Sequence, residues 1–563
     1  MKSVSRKNWK EVSVSKRLIE KLKLDYKFTE LLSKLIINNK FTEEEIFNIE
    51  NDLEIKNPFM NDPDFKKSYL VLKKNITEKK NICLIGDYDV DGAVATSLFI
   101  KFFRTLNIPY YFYIPDRIKD GYGPNVDLIN NLLKKKPKLI IMLDCGSNSN
   151  DVINFINKKK IDTIIIDHHE IYKPYPRSSS IINPKIKKNR NNYDYFCSGS
   201  LSYFFLDYYI KKEKLNFNLE NELLPVLFSI IADVMPIKGI NKLIAKKILK
   251  KKQINENPII KYIFAAKKIN KILTFDDINF LINPILNCSG RIDNSKNSTK
   301  LLIEDDNKKI QIFIDNLILI NEKRKFIENE IINNINFKEL SLDNFDVNIY
   351  FIKNIHEGLI GIIASRIKDY LNKPCIVLTN TSKFLKGSAR STSNFNIGKY
   401  IKSAIDNNII INGGGHNLAA GLILKEEKIK QLRDFMSNKY QKYSNQKNYY
   451  NYLSMISSSS INTKFYDQIK KAGPFGHLNP NPTFLICDLL IIKTKVINQK
   501  MISCLFKCSN NKYIKGFSSN FYESPVTNYL LNYKKKLKII AQINENMWNN
   551  KKTLQLNILD IIV

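Results

Sequence analysis

Three short apolar runs that each end in an aspartate constrain the fold of this chain more than any other feature. ICLIGD, KLIIMLD and DTIIID lie between residues 82 and 167, separated by stretches with helical periodicity. Continuous apolar strands that alternate with helices predict a mainly parallel sheet covered on both faces. Because the ligands of such sheets gather at the carboxyl ends of the strands, we expect the aspartates to converge at one edge.

The remaining sequence predicts several further units, which is typical of a chain of 563 residues. Residues 1–45 are predicted to form short helices that cap the next domain, and residues 201–270 are also predicted to be helical. A single long helix over 308–335 would bridge two lobes. A second α/β unit comes after it, and then short strands typical of a small barrel such as an OB-fold. The predicted domains are 1–45, 46–270, 271–340, 341–435 and 436–563.

Composition favours a folded protein of the cytoplasm. Hydrophobic residues make up 44% of the chain, which excludes a disordered or fibrous protein. No apolar run approaches the roughly 18 residues of a membrane helix, and the first residues lack the apolar stretch of a signal peptide. The eight cysteines form no CxxC pair, so we expect reduced thiols.

The charge of the chain is a weaker guide than its rare residues. A net charge of +34 favours a polyanionic partner such as nucleic acid. However, Lys, Asn and Ile crowd every segment, and a biased genome composition would produce the same pattern. The five histidines and eleven arginines are therefore more informative than the lysines.

The most specific local motif is the acidic run at Asp87, Asp89 and Asp91. Carboxylates at every second position repel one another, and a hard divalent cation would relieve that repulsion. An EF-hand loop also begins in this way, but its twelfth position requires a glutamate, and Leu98 stands there. A solvated acidic turn is the alternative that remains open for the motif alone.

Other acids and histidines end the later segments of the same domain. Asp144 closes one strand, and alone it would more often cap a helix. Asp167, His168 and His169 close the next strand, and Asp233 interrupts an apolar stretch where an unpaired carboxylate is costly. Mixed oxygen and nitrogen ligands fit Mn²⁺ or Mg²⁺ better than a thiolate zinc site. Together these residues predict a metal centre.

The motifs GDYDVDG, LDCG, DHH and ADVMP occur in this order and resemble the four motifs of the DHH phosphoesterase superfamily. Later segments are similar to the bacterial RecJ family of single-strand-specific exonucleases. They are PDRIKDGYG (115–123), NPILNCSGRID (283–293), HEGLIGIIASRI (356–367), LKGSARS (385–391), GGGH (413–416) and AGPFG (472–476). The resemblance covers residues 50–563. It implies a DHH parallel-sheet domain, a long connecting helix, a DHHA1 α/β domain and a C-terminal OB-fold β-barrel.

The resemblance also implies roles for individual residues. Two divalent cations, Mn²⁺ or Mg²⁺, would be held by Asp89, Asp91, Asp144, His168 and Asp233, with Asp87 beside them and Asp144 as the bridge. His169 would face the phosphate, and Asp167 would orient the histidines. The implied substrate-binding residues are Arg117, Asn287, Arg291, His356, Arg366, Ser388, Arg390, Gly414, Gly415 and His416. Among them, Ser388, Arg390 and Arg117 match a 5′-phosphate pocket.

The chain departs from the family pattern at four positions near these motifs. Ile285 replaces an arginine, Cys145 replaces an asparagine, Ile355 replaces a tryptophan, and Ala389 replaces a glycine. None of the four is a predicted metal ligand. We therefore expect weaker DNA contacts at Ile285 and retained chemistry.

The implied function is a 5′ to 3′ exonuclease specific for single-stranded DNA. It would release 5′-mononucleotides by two-metal-ion catalysis during recombination and repair, and it would act as a monomer with no membrane association. A helicase and a single-strand-binding protein are the implied protein partners. A smaller DHH–DHHA1 enzyme, either an oligoribonuclease (nanoRNase) or a nucleotide phosphatase, is the first alternative. A non-catalytic single-strand-binding scaffold is the second.

Overall fold

The structure is a computed structural model that describes residues 1, 3–51, 54–117, 119–121, 123–186, 193–251, 253–336, 346–381, 383–392, 394–444, 449–497, 501–518, 524–533, 536–548 and 551–562.

The N-terminal segment begins with a strand, which its helices follow. The first elements are β1 (Asn8–Glu11), α1 (Lys16–Tyr26), α2 (Glu30–Asn38) and α3 (Glu43–Glu50). A capping box starts α3, with Thr42 and Glu45 each accepting the other's backbone N–H.

The first α/β domain is built on a five-stranded parallel sheet. Its strands are β2 (Ile82–Ile85), β3 (Tyr110–Tyr113), β4 (Leu139–Leu143), β5 (Asp162–Ile166) and β6 (Ser180–Ile182), in the order β3-β2-β4-β5-β6. Strands β2 and β4 are wholly buried, as their continuous apolar sequences predict. In the register, Leu143 lies opposite Ile166. Asp144 and Asp167 therefore emerge side by side.

Helices cover both faces of this sheet. The helices of this domain are α4 (Pro63–Thr77), α5 (Val90–Thr105), α6 (Val126–Leu133), α7 (Asn150–Lys158), α8 (Ser198–Glu213), α9 (Leu223–Ala232), α10 (Gly239–Lys250) and α11 (Pro258–Ala266), of which α9 to α11 pack mainly on other helices. Helix α5 is buried along almost its whole length between the sheet and α8. The large aromatic side chains of this core, such as Phe99 and Phe205, fix the position of α5 and hence of the acidic turn before it.

A connector and a long helix join the two α/β domains. The connector contains α12 (Phe275–Asp277), a π-helical turn (Ile278–Ile282), α13 (Asn283–Leu286), α14 (Ser289–Ile292) and α15 (Lys296–Leu302), and the long helix is α16 (Asn307–Asn333). Ile314 and Leu317 of α16 pack into the first domain, whereas Ile327 and Ile331 pack against the second. The predicted bridging helix is therefore present.

The second α/β domain contains a mixed sheet in the order β10-β11-β9-β8-β7. Its elements are β7 (Asn348–Phe351), α17 (Glu357–Leu371), β8 (Cys375–Asn380), β9 (Leu385–Arg390), α18 (Ile397–Asp406), β10 (Asn412–Gly415), β11 (Ala419–Leu424) and α19 (Ile429–Ser444). Strands β7 and β8 pair in parallel, and the other pairs are antiparallel. The Gly-rich strand β10 is a sheet edge, which leaves its outer face accessible.

The C-terminal domain is formed by strands that pair in a closed cycle. Its elements are β12 (Tyr449–Tyr452), β13 (Ser454–Ser457), α20 (Thr463–Lys470), β14 (Thr483–Ile497), β15 (Met501–Lys507), β16 (Tyr513–Ser518), α21 (Pro525–Asn532), β17 (Lys536–Trp548) and β18 (Lys551–Ile562). The pairing runs β14-β15-β16-β18-β17 and returns to β14. Alternating residues of these strands point into one apolar core.

The N-terminal segment belongs with this C-terminal domain, which corrects the prediction that it caps the first α/β domain. Strand β1 pairs in parallel with β12, and the buried Trp9 donates from Nε1 to Asp560 at 2.8 Å. Leu32 and Leu35 of α2 join the C-terminal core. Helix α3 reaches the first domain, where Glu45 accepts the backbone N–H of Gly239 at 2.9 Å.

Some predicted boundaries differ from the structure. Helix α3 crosses the predicted boundary after residue 45, and α19 crosses the one after residue 435. The boundary between 340 and 341 lies outside the described residues, as does part of PDRIKDGYG. Strand β6 was not predicted. Among the described residues, none of the helices combines the length and apolar character needed to cross a bilayer.

Candidate active site

The acids and histidines predicted to converge do lie together at the carboxyl edge of the parallel sheet. Asp87 follows β2, Asp144 follows β4, and Asp167 to His169 follow β5, while Asp233 ends α9. Asp89 caps α5 by accepting the backbone N–H of Gly92 at 3.0 Å. Parallel strands end at the same edge, so residues far apart in sequence meet there.

Three sets of side chains each bring three possible metal-ligand atoms within 4.8 Å of one another. The sets are Asp87, Asp89 and Asp144; Asp91, His168 and Asp233; and Asp144, His168 and His169. The first two sets share no residue, and Asp144 links the first to the third. Asp87, placed beside the ligands by sequence, is thus a member of a ligand set.

The second set is centred on the imidazole of His168. Its Nε2 lies 3.2 Å from Asp233 Oδ2, 3.4 Å from Asp144 Oδ1 and 3.7 Å from Asp91 Oδ2. Neither ring nitrogen of this buried side chain has a hydrogen-bond partner among the described residues. Burial and the neighbouring His169 lower the pKa of His168 to about 4, which keeps the ring neutral. A neutral ring nitrogen facing carboxylate oxygens is suited to a cation between them.

The carboxylates of the site are crowded without enough neutralising charge. Burial and Asp89 raise the pKa of Asp87 to about 8, and burial and Asp91 raise the pKa of Asp89 and of Asp233. The pKa of Asp144 is raised well above its ordinary value by burial and by Asp91. The buried Oδ1 of Asp87 accepts no hydrogen bond among the described residues. Buried, mutually repelling oxygens with unused lone pairs fit hard divalent cations.

Asp91 is fixed by the start of α8 and by α9. The backbone N–H groups of Ser198 and Gly199 donate to its two oxygens, both at 2.8 Å, and the Ser229 hydroxyl also donates to it. The Ser198 hydroxyl donates to Asp144 Oδ1 at 2.9 Å. These three residues were missed by sequence reasoning. Their available signal was SGS at the start of a helix and a serine four residues before Asp233.

Asp167 organises the two histidines through its own oxygens. It accepts the backbone N–H groups of His168 at 2.8 Å and His169 at 3.1 Å, and it lies 2.8 Å from His169 Nδ1. Burial opposes the charge on Asp167, but His169 lowers its pKa below the ordinary value. Burial similarly opposes the charge on His169, but Asp167 raises the pKa of that ring to about 9. The pair is therefore ionised at neutral pH.

The connector holds the acidic turn in place. Asn287 Oδ1 accepts the backbone N–H of Val90 at 3.0 Å. Gly290 packs directly on the carbonyl of Tyr88, where a methyl group would collide with it. Asn287 is predicted to bind substrate, but its amide oxygen already accepts a hydrogen bond from the acidic turn. Helix α16 in turn carries Leu317, whose carbonyl accepts the thiol of Cys288 at 3.2 Å.

Arg117, Arg291 and Arg390 form an arginine cluster beside the acids. The Arg117 guanidinium lies over the Tyr88 ring at 4.2 Å from its centroid. Burial and Arg117 lower the pKa of Arg291 to about 10, and the same two causes lower the pKa of Arg390. The buried Nε of Arg117 has no hydrogen-bond partner among the described residues. Cations this close are suited to a shared anion, such as a phosphate.

The second α/β domain contributes Arg390 to this cluster and fixes its side chain. Arg390 donates from Nη1 to Ser388 Oγ at 2.9 Å and to the carbonyl of Ala389 at 2.8 Å. A methyl group on Gly361 would lie 2.7 Å from Arg390 Nη2, so this glycine leaves room for the guanidinium. Arg291 donates to the carbonyl of Gly358 at 3.2 Å, across the junction of connector and α17.

The histidines of the second domain lie close enough to charged groups of the first domain for those charges to affect their pKa. Gly414, Gly415 and His416 are exposed, and a methyl group added at Gly414 would meet open space. Although His416 is exposed at the surface, partial desolvation by the surrounding atoms lowers its pKa, and Lys185 and His169 of the first domain lower it further. His356 caps α17 by accepting the Gly358 N–H on Nδ1 at 3.1 Å. Lys185, also missed by sequence reasoning, pairs with Glu170 at 3.5 Å.

Other predicted positions lie elsewhere. Arg366 pairs with Glu328 of α16 at 3.2 Å, so the structure occupies it in an ion pair between helices. Ile285, Cys145 and Ile355 are buried, and Ile285 belongs to the core of the first domain. An apolar core residue therefore occupies position 285, where the resemblance predicted an arginine.

Comparison with known families divides the chain as the structure does. Residues 81–231 match the DHH family, N-terminal domain, residues 344–442 match the DHHA1 domain, and residues 454–560 match the RecJ OB domain. The chain is 24% identical over 578 residues to the single-stranded-DNA-specific exonuclease RecJ of Bacillus subtilis, covering 99% of this chain and 71% of that protein. The Escherichia coli RecJ is 26% identical over 454 residues, covering 74% and 77%.

A solved structure shares the fold over almost the whole chain. RecJ from Thermus thermophilus in complex with Mn²⁺ superposes with a TM-score of 0.82 at 17% identity, covering 99% of this chain and 80% of that one. Another, an exonuclease RecJ bound to manganese, gives a TM-score of 0.56 at 21% identity, covering 70% and 96%. The predicted fold class, with two α/β domains followed by an OB domain, is confirmed.

Proposed function

We propose that this chain, a homologue of the RecJ proteins that combines a DHH, a DHHA1 and a RecJ OB domain, is a metal-dependent exonuclease specific for single-stranded DNA. The observation that carries the proposal is the carboxylate cluster, defined as Asp87, Asp89, Asp91, Asp144 and Asp233. Asp144 offers a ligand atom within 4.8 Å of one from Asp87 in one set and of one from His168 in another. That arrangement supports two divalent ions that share one carboxylate.

The ligand chemistry fits Mn²⁺ or Mg²⁺. Asp87, Asp89 and Asp144 would hold one ion, and Asp91, His168, Asp233 and Asp144 the other. Divalent ions bound there supply Lewis-acid polarisation of a phosphodiester and lower the pKa of a bound water. The relatives crystallised with Mn²⁺ and Mg²⁺ support this choice of metals. Asp91 needs its three hydrogen-bond donors because they fix its oxygens without adding positive charge at the ion.

His169 would donate a hydrogen bond to the phosphate of the substrate. Asp167 lies 2.8 Å from His169 Nδ1, so Nε2 is the ring nitrogen that would face a phosphate oxygen. Because the pKa of His169 is raised to about 9, the ring is a cation at neutral pH. It would donate a charge-assisted hydrogen bond to a phosphate oxygen at the mouth of the site.

The arginine cluster supports a 5′ to 3′ direction. Arg390, Ser388 and Arg117 would bind the terminal 5′-phosphate while the carboxylate cluster takes the next phosphodiester. Each cycle would then release a 5′-mononucleotide. The exposed strand β10, with His416, would contact the strand from the second domain. The OB domain would bind the trailing strand, because OB-folds commonly bind oligonucleotides and the positive charge of the chain attracts the phosphates.

The cellular setting is part of the same proposal. We place the protein in the cytoplasm, as a monomer that takes strands from a helicase or a single-strand-binding protein during recombination and repair. The oligoribonuclease (nanoRNase) and nucleotide-phosphatase alternative shares both α/β domains. The OB domain favours the long-strand nuclease over that alternative, because short substrates leave it without a role. The retained ligand sets disfavour a non-catalytic scaffold.

The test compares strands rather than a single substrate. A 5′-phosphorylated 40-mer of single-stranded DNA, its duplex and a dinucleotide are incubated with Mn²⁺ or Mg²⁺ and with wild type or Asp144→Ala. We expect wild type alone to release 5′-mononucleotides from the single strand. Preference for the dinucleotide would favour the nanoRNase alternative, and equal inactivity of both proteins would favour the scaffold.

A further inference from the structure

Two apolar residues of the described chain hold a left-handed backbone conformation that their types disfavour. Val234 has φ of 52° and Leu478 has φ of 57°. Every other non-glycine residue with positive φ in the described part is Lys, Arg, Asn or Asp. A β-branched side chain in this region is strained, so its presence here suggests a functional role.

Val234 stands at the rim of the carboxylate cluster. It directly follows Asp233, whose Oδ2 lies 3.2 Å from His168 Nε2. Its backbone ends α9, with its N–H donating to the Ile231 carbonyl at 3.2 Å. Glycine is the usual residue at such a position. The valine side chain is nevertheless 62% exposed, so it does not serve the core.

Leu478 is presented by the OB domain next to the same segment. The backbone N–H of Ile237 donates to the His477 carbonyl at 2.8 Å, which joins the two domains. Asn479 donates from Nδ2 to the Ala472 carbonyl at 3.0 Å and the Pro474 carbonyl at 2.8 Å, so the loop carrying Leu478 is well held. The Leu478 side chain is 51% exposed.

We propose that Val234 and Leu478 form an apolar rim that contacts bases of the substrate strand between the metal site and the OB domain. The inference rests on the proposed function and adds a contact surface to it. Val234 directly follows a metal-site residue, Leu478 belongs to the OB domain, and the bond from Ile237 to His477 joins their two segments. A strand that reaches from the metal site to the OB domain would therefore pass this pair.

The chemistry of the pair matches bases rather than phosphates. The arginine cluster and the lysines of the chain supply cations for the backbone, whereas the rim offers only methyl groups. A single strand exposes the apolar faces of its bases, and contact with them does not depend on sequence. Fixing the rim backbone in one conformation reduces the entropy lost when the strand binds.

The test measures base-dependent binding. The variants Val234→Ser, Leu478→Ser and their combination are compared with wild type in Ca²⁺, using fluorescent dT20 and a 20-mer without bases. For the double variant we expect the affinity for dT20 to fall about fivefold or more. Its affinity for the abasic strand should equal that of wild type. Leu24→Ser, at an exposed position on α1, is the matched control and should change neither affinity.

Three results would contradict the proposal that the rim contacts bases. They are an unchanged dT20 affinity, an equal loss on the abasic strand, and an altered oligomeric state of the double variant in light scattering. The last would assign the rim to contact between copies. If wild type neither binds nor digests dT20, the proposed function fails first. If wild type digests it normally and the variants bind alike, the rim alone fails.

A backbone variant tests the same point if the serine variants misfold. Val234→Gly removes both the strain and the side chain, so we expect a higher Tm together with weakened dT20 binding. A higher Tm with unchanged binding would contradict the proposal, because the strained valine would then serve nothing.

Discussion

The carboxylate cluster and the arginine cluster are adjacent regions that both crowd like charges, but they are built differently. The acids come from one domain, where strand ends and helix starts fix them with backbone donors. The arginines come from three parts: Arg117 from a loop of the first domain, Arg291 from the connector and Arg390 from β9. The acidic site is therefore a property of one sheet, whereas the basic site depends on how the domains are joined.

This difference separates chemistry from substrate selection. Loss of a cluster acid should affect every substrate, since the ligand sets found among the described residues all lie in the first α/β domain. Loss of a cluster arginine should affect substrates according to their 5′ end. Four experiments can test that division, from the largest expected effect to the smallest.

Asp144→Asn should reduce the rate of nucleotide release by about a thousandfold or more, because it removes the carboxylate shared between ligand sets. The initial rate on 5′-phosphorylated single strands in Mn²⁺ measures this. The Tm of the metal-free variant should not fall, since burial and neighbouring charges already raise the pKa of Asp144. An active variant would show that the carboxylate cluster is not the catalytic centre.

Arg390→Ala should weaken binding of 5′-phosphorylated strands about 10- to 100-fold, the range expected for loss of charge-assisted hydrogen bonds. KM for strands with a 5′-hydroxyl should change little, and kcat should be retained. Steady-state kinetics on the two strands measure the difference. Arg177→Ala, at an exposed position of the first domain, is the control. An equal loss on both strands would remove the arginine cluster from 5′-end selection.

The metal-free protein should lose stability as the pH rises from 6 to 8. The pKa of Asp87 is raised to about 8 in the folded protein, so across this range the folded state keeps a proton that the unfolded state has already released. Each rise in pH therefore favours unfolding. The pKa of His169 is raised to about 9, so the charged ring stabilises the folded protein. That stabilisation is complete below the ordinary pKa of a histidine and is lost as the pH rises through about 9. Both contributions have the same sign.

We expect the Tm in EDTA to fall by about 3 °C or more over that interval. Saturating Mn²⁺ should flatten the slope, because bound cations stabilise the ionised carboxylates. Thermal unfolding at three pH values with EDTA or Mn²⁺ provides the measurement, and Asp87→Asn should flatten the EDTA curve. Identical slopes in both conditions would contradict a cation-dependent cluster.

Gly361→Ala should reduce the preference for a 5′-phosphate about threefold by displacing the Arg390 guanidinium. The added methyl group would lie 2.7 Å from Arg390 Nη2 and 3.1 Å from Ser388 Oγ. The flexible arginine can move, so the effect should be smaller than that of Arg390→Ala. The ratio of kcat/KM on the two strands measures it, and an unchanged ratio would mean that the guanidinium position is unimportant.

The acidic residues of the site could be predicted from the sequence, whereas the residues that hold them in place could not. Asp144 and Asp167 each end an apolar run, and parallel strands bring such ends together regardless of side-chain detail. Ser198 and Gly199 hold Asp91 by main-chain N–H groups, which every non-proline residue possesses. No residue type marks them, so only the fold reveals them. The individual roles of the site residues remain predictions that the proposed variants test.

The fold was predictable where the pattern is local. Helix α16 and the buried strands follow from periodicity within a few turns. Strand β1 does not, because the four residues NWKE resemble any polar segment and pair with β12 across the sequence. The left-handed backbone at Val234 was also not predicted, since the valine itself argues against it.

The bond between Trp9 and Asp560 has a consequence for synthesis, because its two residues are 551 positions apart. At ribosomal rates of about 5 to 20 residues per second, the first strand would wait from about half a minute to two minutes for its partner. Both α/β domains would emerge in that interval with the leading segment undocked. The C-terminal domain would thus be the last part of the molecule to reach its native state.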